Sequence, residues 1–283
     1  MKIYSLINLG NTCYLNSVLQ CFINVPYFKN QLTDNELSKY LKELENDLTD
    51  NDEYINHKYN PSSIVNYFNK KFKRFQQHDA HEFLLEFLEQ LELKDYYGTI
   101  KMNVICSCCN TISSTFEKFS TINLQCENNV VDSFIKYLEK ENIHDYHCEK
   151  CKRNTLALKK IYLQTLPSFL IIVLKRYNTE RYNTERYNTE RYNTERYNTE
   201  SKNNKLINYP IENMKIRETE SGNIFNYNLY AVIYHHGNSE NGHYNCSVKI
   251  NTKWYFIDDQ NVQLMNKIEN NNSNSYILFY NKI

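Results

Sequence analysis

Cys13 sits where a glycine-containing loop, Asn8-Leu9-Gly10-Asn11-Thr12, gives way to apolar residues at helical spacing: Leu15, Val18, Leu19 and Phe22. A thiol at a helix N-terminus feels the positive end of the macrodipole, which favours the thiolate, the attacking form of sulfur. Local context alone leaves two readings open, a nucleophile and a packed, inert thiol. Cys21 lies on the apolar side of the same helix and fits the packed reading. A cysteine nucleophile needs a base, and the base needs an orienting partner, usually distant in sequence. His243, in Asn241-Gly242-His243-Tyr244, opens a strand-like run after a polar turn. Asp258 and Asp259 close the next such run, Trp254-Tyr255-Phe256-Ile257. Adjacent antiparallel strands would set one of these carboxylates beside the imidazole. A second chemistry is written in Cys106-x-x-Cys109 and Cys148-x-x-Cys151. Four thiolates satisfy tetrahedral zinc, and such a closed site is structural because no coordination position stays open. A redox dithiol is the competing reading, and Cys108 and His147 lie beside the four as possible substitutes.

The elements that must position these groups follow from hydrophobic period. The first part reads as helices. Leu37, Leu41, Leu44 and Leu48 follow a Thr33/Asp34 cap signal, and Ile64–Phe72 and Phe83–Leu91 each carry one apolar face. The middle, about 98–166, mixes strand-like pieces with the cysteine pairs and a helix expected at Asp132–Glu141. The last third reads as strands: Phe169–Leu174, a continuous apolar run suited to burial on both faces, then Tyr227–Tyr234, His243–Ile250, Trp254–Ile257 and Tyr276–Tyr280. Helices first and an antiparallel sheet later is an α+β pattern.

One segment obeys neither period. Arg176–Glu200 is five unbroken copies of Arg-Tyr-Asn-Thr-Glu, and a period of five builds no continuous apolar face. It is read as an exposed, flexible loop grown by duplication, with a binding array as the lesser alternative.

Composition narrows the function classes. Thirty-three basic and thirty-three acidic residues cancel, which argues against a nucleic-acid binder working through a large positive field. The longest apolar run is far too short for a bilayer, and Met1–Gly10 is not built like a signal peptide, so no membrane role and an intracellular setting, cytoplasmic or nuclear, are expected. Nine cysteines cannot all pair within one chain, which fits a reducing compartment.

Taken together the motifs resemble the ubiquitin-specific proteases, papain-like cysteine peptidases that remove ubiquitin. Asn8–Ser17 resembles their Cys box, and Gln77-His78-Asp79-Ala80-His81-Glu82-Phe83-Leu84 their second motif. Leu166-Pro167-Ser168-Phe169 through Leu174-Lys175-Arg176-Tyr177 resembles their LP…LKRF segment. Tyr230-Ala231-Val232 through Gly242-His243-Tyr244, with Trp254 through Asp259, resembles their His box, and Tyr276–Tyr280 their last core strand. The order is the family's, across nearly the whole chain. The resemblance implies a single catalytic domain of α+β, papain-like fold: a thumb at 1–97, zinc-bearing fingers at 98–165 and a palm at 166–283, interrupted by the repeat at 176–200. It makes Cys13 the nucleophile, His243 the base and then the acid, Asp258 the orienting carboxylate and Asn8 a donor to the oxyanion. Asp259 is a secondary acidic position, and Asn11 a loop or capping residue. Asp79 and Glu82 are expected to meet the basic tail of ubiquitin. Cys106, Cys109, Cys148 and Cys151 are expected to hold one structural zinc, with no catalytic cofactor. The implied partners are ubiquitin and ubiquitinated proteins, the implied state a monomer. His78 and His81 are expected to be structural or surface residues, and His235 and His236 exposed polar residues on the loop before His243. Isopeptidase action on another ubiquitin-like modifier, or a silent ubiquitin-binding scaffold, are the competing functions.

Overall fold

The computed structural model describes residues 3–25, 28–46, 57–177, 202–238 and 241–283. In chain order the elements begin with β1 (Tyr4–Leu6), α1 (Cys13–Ile23), α2 (Glu36–Asn46), β2 (His57–Tyr59), α3 (Ser62–Phe68) and α4 (Ala80–Leu91). The middle holds β3 (Gly98–Cys106), β4 (Ile112–Phe119), β5 (Thr121–Gln125), α5 (Val130–Tyr137), β6 (Glu141–Cys148) and β7 (Arg153–Thr165). Then come β8 (Phe169–Lys175), β9 (Ile207–Asn208), β10 (Met214–Arg217), β11 (Ile224–Gly237), β12 (Gly242–Ile250), β13 (Lys253–Asp258), β14 (Asn261–Met265), β15 (Asn271–Asn272) and β16 (Ser275–Lys282).

The large sheet runs β14-β13-β12-β11-β16-β8-β5, with β10 beside β11. All of its pairs are antiparallel except β5 with β8. The run Phe169–Leu174 is a central strand, Leu170 to Leu174 all buried, as its unbroken apolar sequence requires. A second sheet, β4-β3-β7-β6, is wholly antiparallel and carries the paired cysteines at one end. The expected 98–165 unit is therefore divided: β5 leaves it to join the large sheet. α5 packs on β5, and it begins earlier than the apolar spacing suggested because Asn129 caps it, accepting from the Asp132 N–H at 2.8 Å. The cap of α2 likewise falls one residue past the Thr33/Asp34 signal, on Asn35, whose Oδ1 accepts from Ser38 N at 2.8 Å.

α1 is buried along its whole length, wedged between α4 and the β11–β13 face of the large sheet. Its apolar residues join Phe83, Phe87, Ile233 and Phe279 in one core. Its polar residues reach across that wedge: Gln20 donates to the Tyr4 carbonyl at 2.7 Å and Asn16 to Asp259 Oδ1 at 2.7 Å. A helix so placed sets its first residue, Cys13, at the seam between helices and sheet. Leu48 and the repeat from Asn178 onward lie outside the described residues. Among the described residues no helix is long and apolar enough to cross a membrane.

Candidate active site and cysteine cluster

The loop before Cys13 is shaped by two left-handed residues, Gly10 (φ 98°) and Asn11 (φ 55°). Gly10 must be glycine twice over: L side chains rarely adopt that φ, and a Cβ there would run into the Phe75 ring. Asn11 donates to the Phe75 carbonyl at 2.9 Å, a loop role as expected. Asn8 is the hub. Its Oδ1 accepts from the N–H of Gly10 at 3.0 Å and of Thr12 at 3.2 Å. Its amide nitrogen gives one proton to Asp259 Oδ2 at 2.8 Å. A carboxamide nitrogen carries two donors, so a second N–H stays with this exposed residue for a ligand. No side chain among the described residues caps α1, which leaves the first N–H groups of that helix beside the Cys13 sulfur.

Cys13 is only 6% exposed, and across the seam its thiol is the strongest influence on the His243 imidazole. His243 Nε2 meets Asp258 Oδ1 at 2.5 Å, which leaves Nδ1 for the sulfur. Cys13 is the largest influence on the imidazole. Burial opposes it and Asp258 adds to it, and the net effect raises the pKa from its ordinary 6.5 to about 9. An imidazolium at neutral pH is what a thiolate–imidazolium pair needs. The structure thus brings Cys13, His243, Asp258 and Asn8 together. Asp259 stands apart from the imidazole's bonds. It is held at φ 50° and ties the sheet to the helical side through Asn8, Asn16 and its own carbonyl, which accepts from Leu6 N at 3.1 Å.

Asp79 departs from the sequence reading. Its Oδ1 caps α4, accepting from His81 N at 2.7 Å and Glu82 N at 3.1 Å. Its Oδ2 accepts from the hydroxyls of Tyr244 (3.2 Å) and Tyr276 (2.9 Å), on β12 and β16. With four internal donors it is a brace between α4 and the sheet, and Glu82 is the exposed carboxylate of the two. The pattern Asp79-x-x-Glu82 carried the capping signal; nothing local announced the tyrosines. His78 packs edge-on to Tyr14 and Phe72, and His81 bonds Thr121, so both are structural.

His235 and His236 are not on a loop. They end β11 opposite Tyr244 and His243, because the strand continues to Gly237 before the chain turns. His236 is exposed as expected, but His235 is 4% exposed, its Nδ1 2.5 Å from the Tyr177 hydroxyl. The repeat also begins inside the fold. Arg176 is 1% exposed and donates to the carbonyls of Ser275 (2.5 Å), Asn203 (2.9 Å), Lys205 (3.0 Å) and Asn272 (3.0 Å). The first Arg-Tyr pair is thus an anchor, not part of an exposed loop.

In the second sheet Cys106 ends β3 and Cys148 ends β6, with Cys109 and Cys151 in the turns that follow. Both turns are built alike. Asn110 N bonds the Cys106 carbonyl and Lys152 N the Cys148 carbonyl, with Asn110 (φ 57°) and Lys152 (φ 53°) left-handed. All four sulfurs lie within 4.8 Å of one another, with Cys106–Cys151 at 3.9 Å and Cys109–Cys148 at 3.6 Å. A tetrahedron with bonds of about 2.3 Å has edges of about 3.8 Å, so the donor set fits zinc. Cys108 is turned away to the Arg153 guanidinium, which donates to it at 3.3 Å, and His147 faces Asn154. Cys21, Cys126 and Cys246 are buried thiols.

A family model described as ubiquitin carboxyl-terminal hydrolase matches residues 4–280. The chain is 27% identical over 315 residues to ubiquitin carboxyl-terminal hydrolase 17-like protein E of Mus musculus, covering 96% of this chain and 54% of that protein. It is 29% identical over 321 residues to ubiquitin carboxyl-terminal hydrolase 20 of Arabidopsis thaliana, covering 96% and 42%. The chain therefore spans about half the length of the curated relatives it matches. Among solved structures, the SAGA Ubp8/Sgf11/Sus1/Sgf73 DUB module bound to ubiquitin aldehyde superposes with a TM-score of 0.76 at 21% identity, covering 99% of this chain and 69% of that one, a likeness of fold. Because the family match runs from the first strand to the last and takes in both sides of the seam, the chain belongs to the ubiquitin carboxyl-terminal hydrolase family.

Proposed function

We propose that this chain is a thiol-dependent deubiquitinase that hydrolyses the isopeptide or peptide bond after the C-terminal glycine of ubiquitin. The observation that carries the proposal is the His243 imidazole 2.5 Å from Asp258, with Cys13 at the start of α1 acting on the same ring, in a chain of this family. The Cys13 thiolate attacks the glycine carbonyl. The developing oxyanion is met by the free Asn8 N–H and the uncapped first turn of α1, a donor set of the kind worth about 3 kcal/mol per member. His243, protonated in the resting pair, gives its proton to the departing lysine amine. The same ring then activates water to hydrolyse the thioester, with Asp258 holding it in place through both steps. Glu82, exposed on the first turn of α4, is offered to the basic tail that precedes the glycine.

Cys106, Cys109, Cys148 and Cys151 would hold one zinc ion, which closes the two turns of the second sheet and supplies no chemistry to the reaction. Support comes from the sulfur spacing and the shared turn geometry.

The test incubates the protein and its Cys13→Ala variant with C-terminally electrophilic ubiquitin and with the same warhead on other ubiquitin-like modifiers. A ubiquitin adduct formed only by the unmutated protein is expected. Preferential reaction with another modifier would move the substrate assignment, and no adduct at all would favour a silent binding scaffold.

A further inference from the structure

His243 depends on how its own strand is held. Successive side chains of a strand point to opposite faces, so Gly242 and Tyr244 share the face that His243 does not. One residue covers both. His235 lies opposite Tyr244 in the β11–β12 register, with ring centroids 4.5 Å apart. A Cβ on Gly242 would run into His235 Nε2, so glycine at 242 is the space that this imidazole fills. The ring is gripped from behind. Tyr177 OH lies 2.5 Å from Nδ1, and Lys202 Nζ donates to the His235 carbonyl and, at 3.2 Å, to Asn274 Oδ1. The neighbours it covers are also held from the helical side: Gln77 Oε1 accepts from Gly242 N at 3.0 Å, and Asp79 from the Tyr244 hydroxyl.

We propose that His235, fixed by the Tyr177 hydroxyl, is a positioning residue for His243, clamping the two residues that flank it from the opposite face of β12. The proposal rests on the cysteine-protease reading above and adds to it a pair outside the Cys-His-Asp set. Tyr177 stands where the LKRF pattern has phenylalanine, so the hydroxyl that completes the clamp is this chain's departure from that pattern. The titratable and charged groups around His235 are Tyr177, Tyr244, Tyr276, Lys202, His236, His243 and Asp79. Burial, with Lys202 adding to it, lowers its pKa to about 4, so the ring stays neutral across the working range. Placement matters because a reacting group must be held to within about 0.5 Å and 10–20° of its productive geometry.

The test uses the full chain with Tyr177→Phe, His235→Ala and His235→Asn, the last keeping a polar group on the Nδ1 side. Turnover is read on ubiquitin carrying a C-terminal fluorophore. The Cys13–His243 pair is read separately, as the pH profile of Cys13 alkylation by iodoacetamide. Tyr177→Phe is expected to lower kcat about fivefold with KM within about twofold, while Tm moves by no more than about 4 °C. It should also displace the alkylation profile, which lost stability alone would not do. His235→Ala should lose more and His235→Asn recover part of that loss. An unchanged kcat and profile in Tyr177→Phe, or a loss wholly explained by unfolded protein, overturns the proposal. The alkylation arm needs no ubiquitin. Inactivity of the unmutated chain would thus sink the substrate assignment, and the alkylation profile would still decide this one.

Discussion

Asp79→Ala separates a brace from a substrate contact. The carboxylate caps α4 through two backbone N–H groups and accepts from the hydroxyls of two buried tyrosines. Loss of an N-cap costs about 1 kcal/mol. Each hydrogen bond to a charged acceptor contributes roughly 1.5 kcal/mol or more, and Tyr244 and Tyr276 would keep hydroxyls with nowhere to donate. The sum is about 4 kcal/mol, at the far end of what one substitution does. For a domain near this size each kcal/mol moves Tm by about 2–4 °C, so a fall of roughly 8–16 °C is expected by differential scanning calorimetry. Urea unfolding of Asp79→Ala, Tyr276→Phe and the double variant should show coupling, because both singles remove the same bond. Asp79→Asn keeps the cap and should fall between. A Tm within about 2 °C of the parent, with only KM raised, would refute the brace and return Asp79 to the substrate.

Further outcomes follow from single features of the site. Asn8→Ala should lower kcat about 10²–10³-fold with little change in KM, since the donor acts on the transition state. The raised His243 pKa sets the alkaline limb of the reaction. Imidazolium is lost as pH rises through about 9, so isopeptide cleavage should fall there while alkylation of Cys13 continues. The sign for stability is the same: the contribution of that group is full below its ordinary 6.5 and disappears on passing about 9. Asp258→Asn should move the limb to lower pH, measurable as kcat/KM against pH. Metal analysis should find about one zinc per chain, lost with folding stability in Cys109→Ser/Cys148→Ser; a metal-free, stably folded protein would contradict that. Deleting 181–200, four copies of the repeat, should leave turnover intact, whereas Arg176→Ala should cost at least about 3 kcal/mol in urea unfolding by orphaning four carbonyls.

What could be read from the sequence and what could not divide along a physical line. Strands buried on both faces, such as Phe169–Leu174, and helices with one apolar face, such as Phe83–Leu91, announce themselves by period, and the structure keeps them within a few residues. The paired cysteines announced their cluster by spacing. Cap positions slipped by a residue or more, as at Asn35 and Asn129, because several side chains near a helix start can cap it. The second sheet gives little alternation to read: β3 is half-buried between two buried ends, and β4 is exposed from Ile112 to Lys118, so its period says nothing. Long-range polar contacts were the least legible. Asp79 with Tyr244 and Tyr276, Asp259 with Asn8 and Asn16, and Tyr177 with His235 join residues far apart in sequence. No local pattern marks such pairs. The repeat misled at its first unit: Arg176 is identical in type to four later arginines, and nothing in the sequence of the repeat marks it as the one that follows β8 and reaches four carbonyls.

The central claim, that the thiol of α1 and the imidazole of β12 act as one hydrolytic unit on ubiquitin, is tested most directly by cleavage of an isopeptide-linked ubiquitin pair, followed by electrophoresis. The unmutated chain is expected to release single ubiquitin, with Cys13→Ala and His243→Ala each losing activity by at least about 10³-fold while remaining folded. Cleavage that persists at the parental rate in either variant would contradict the account.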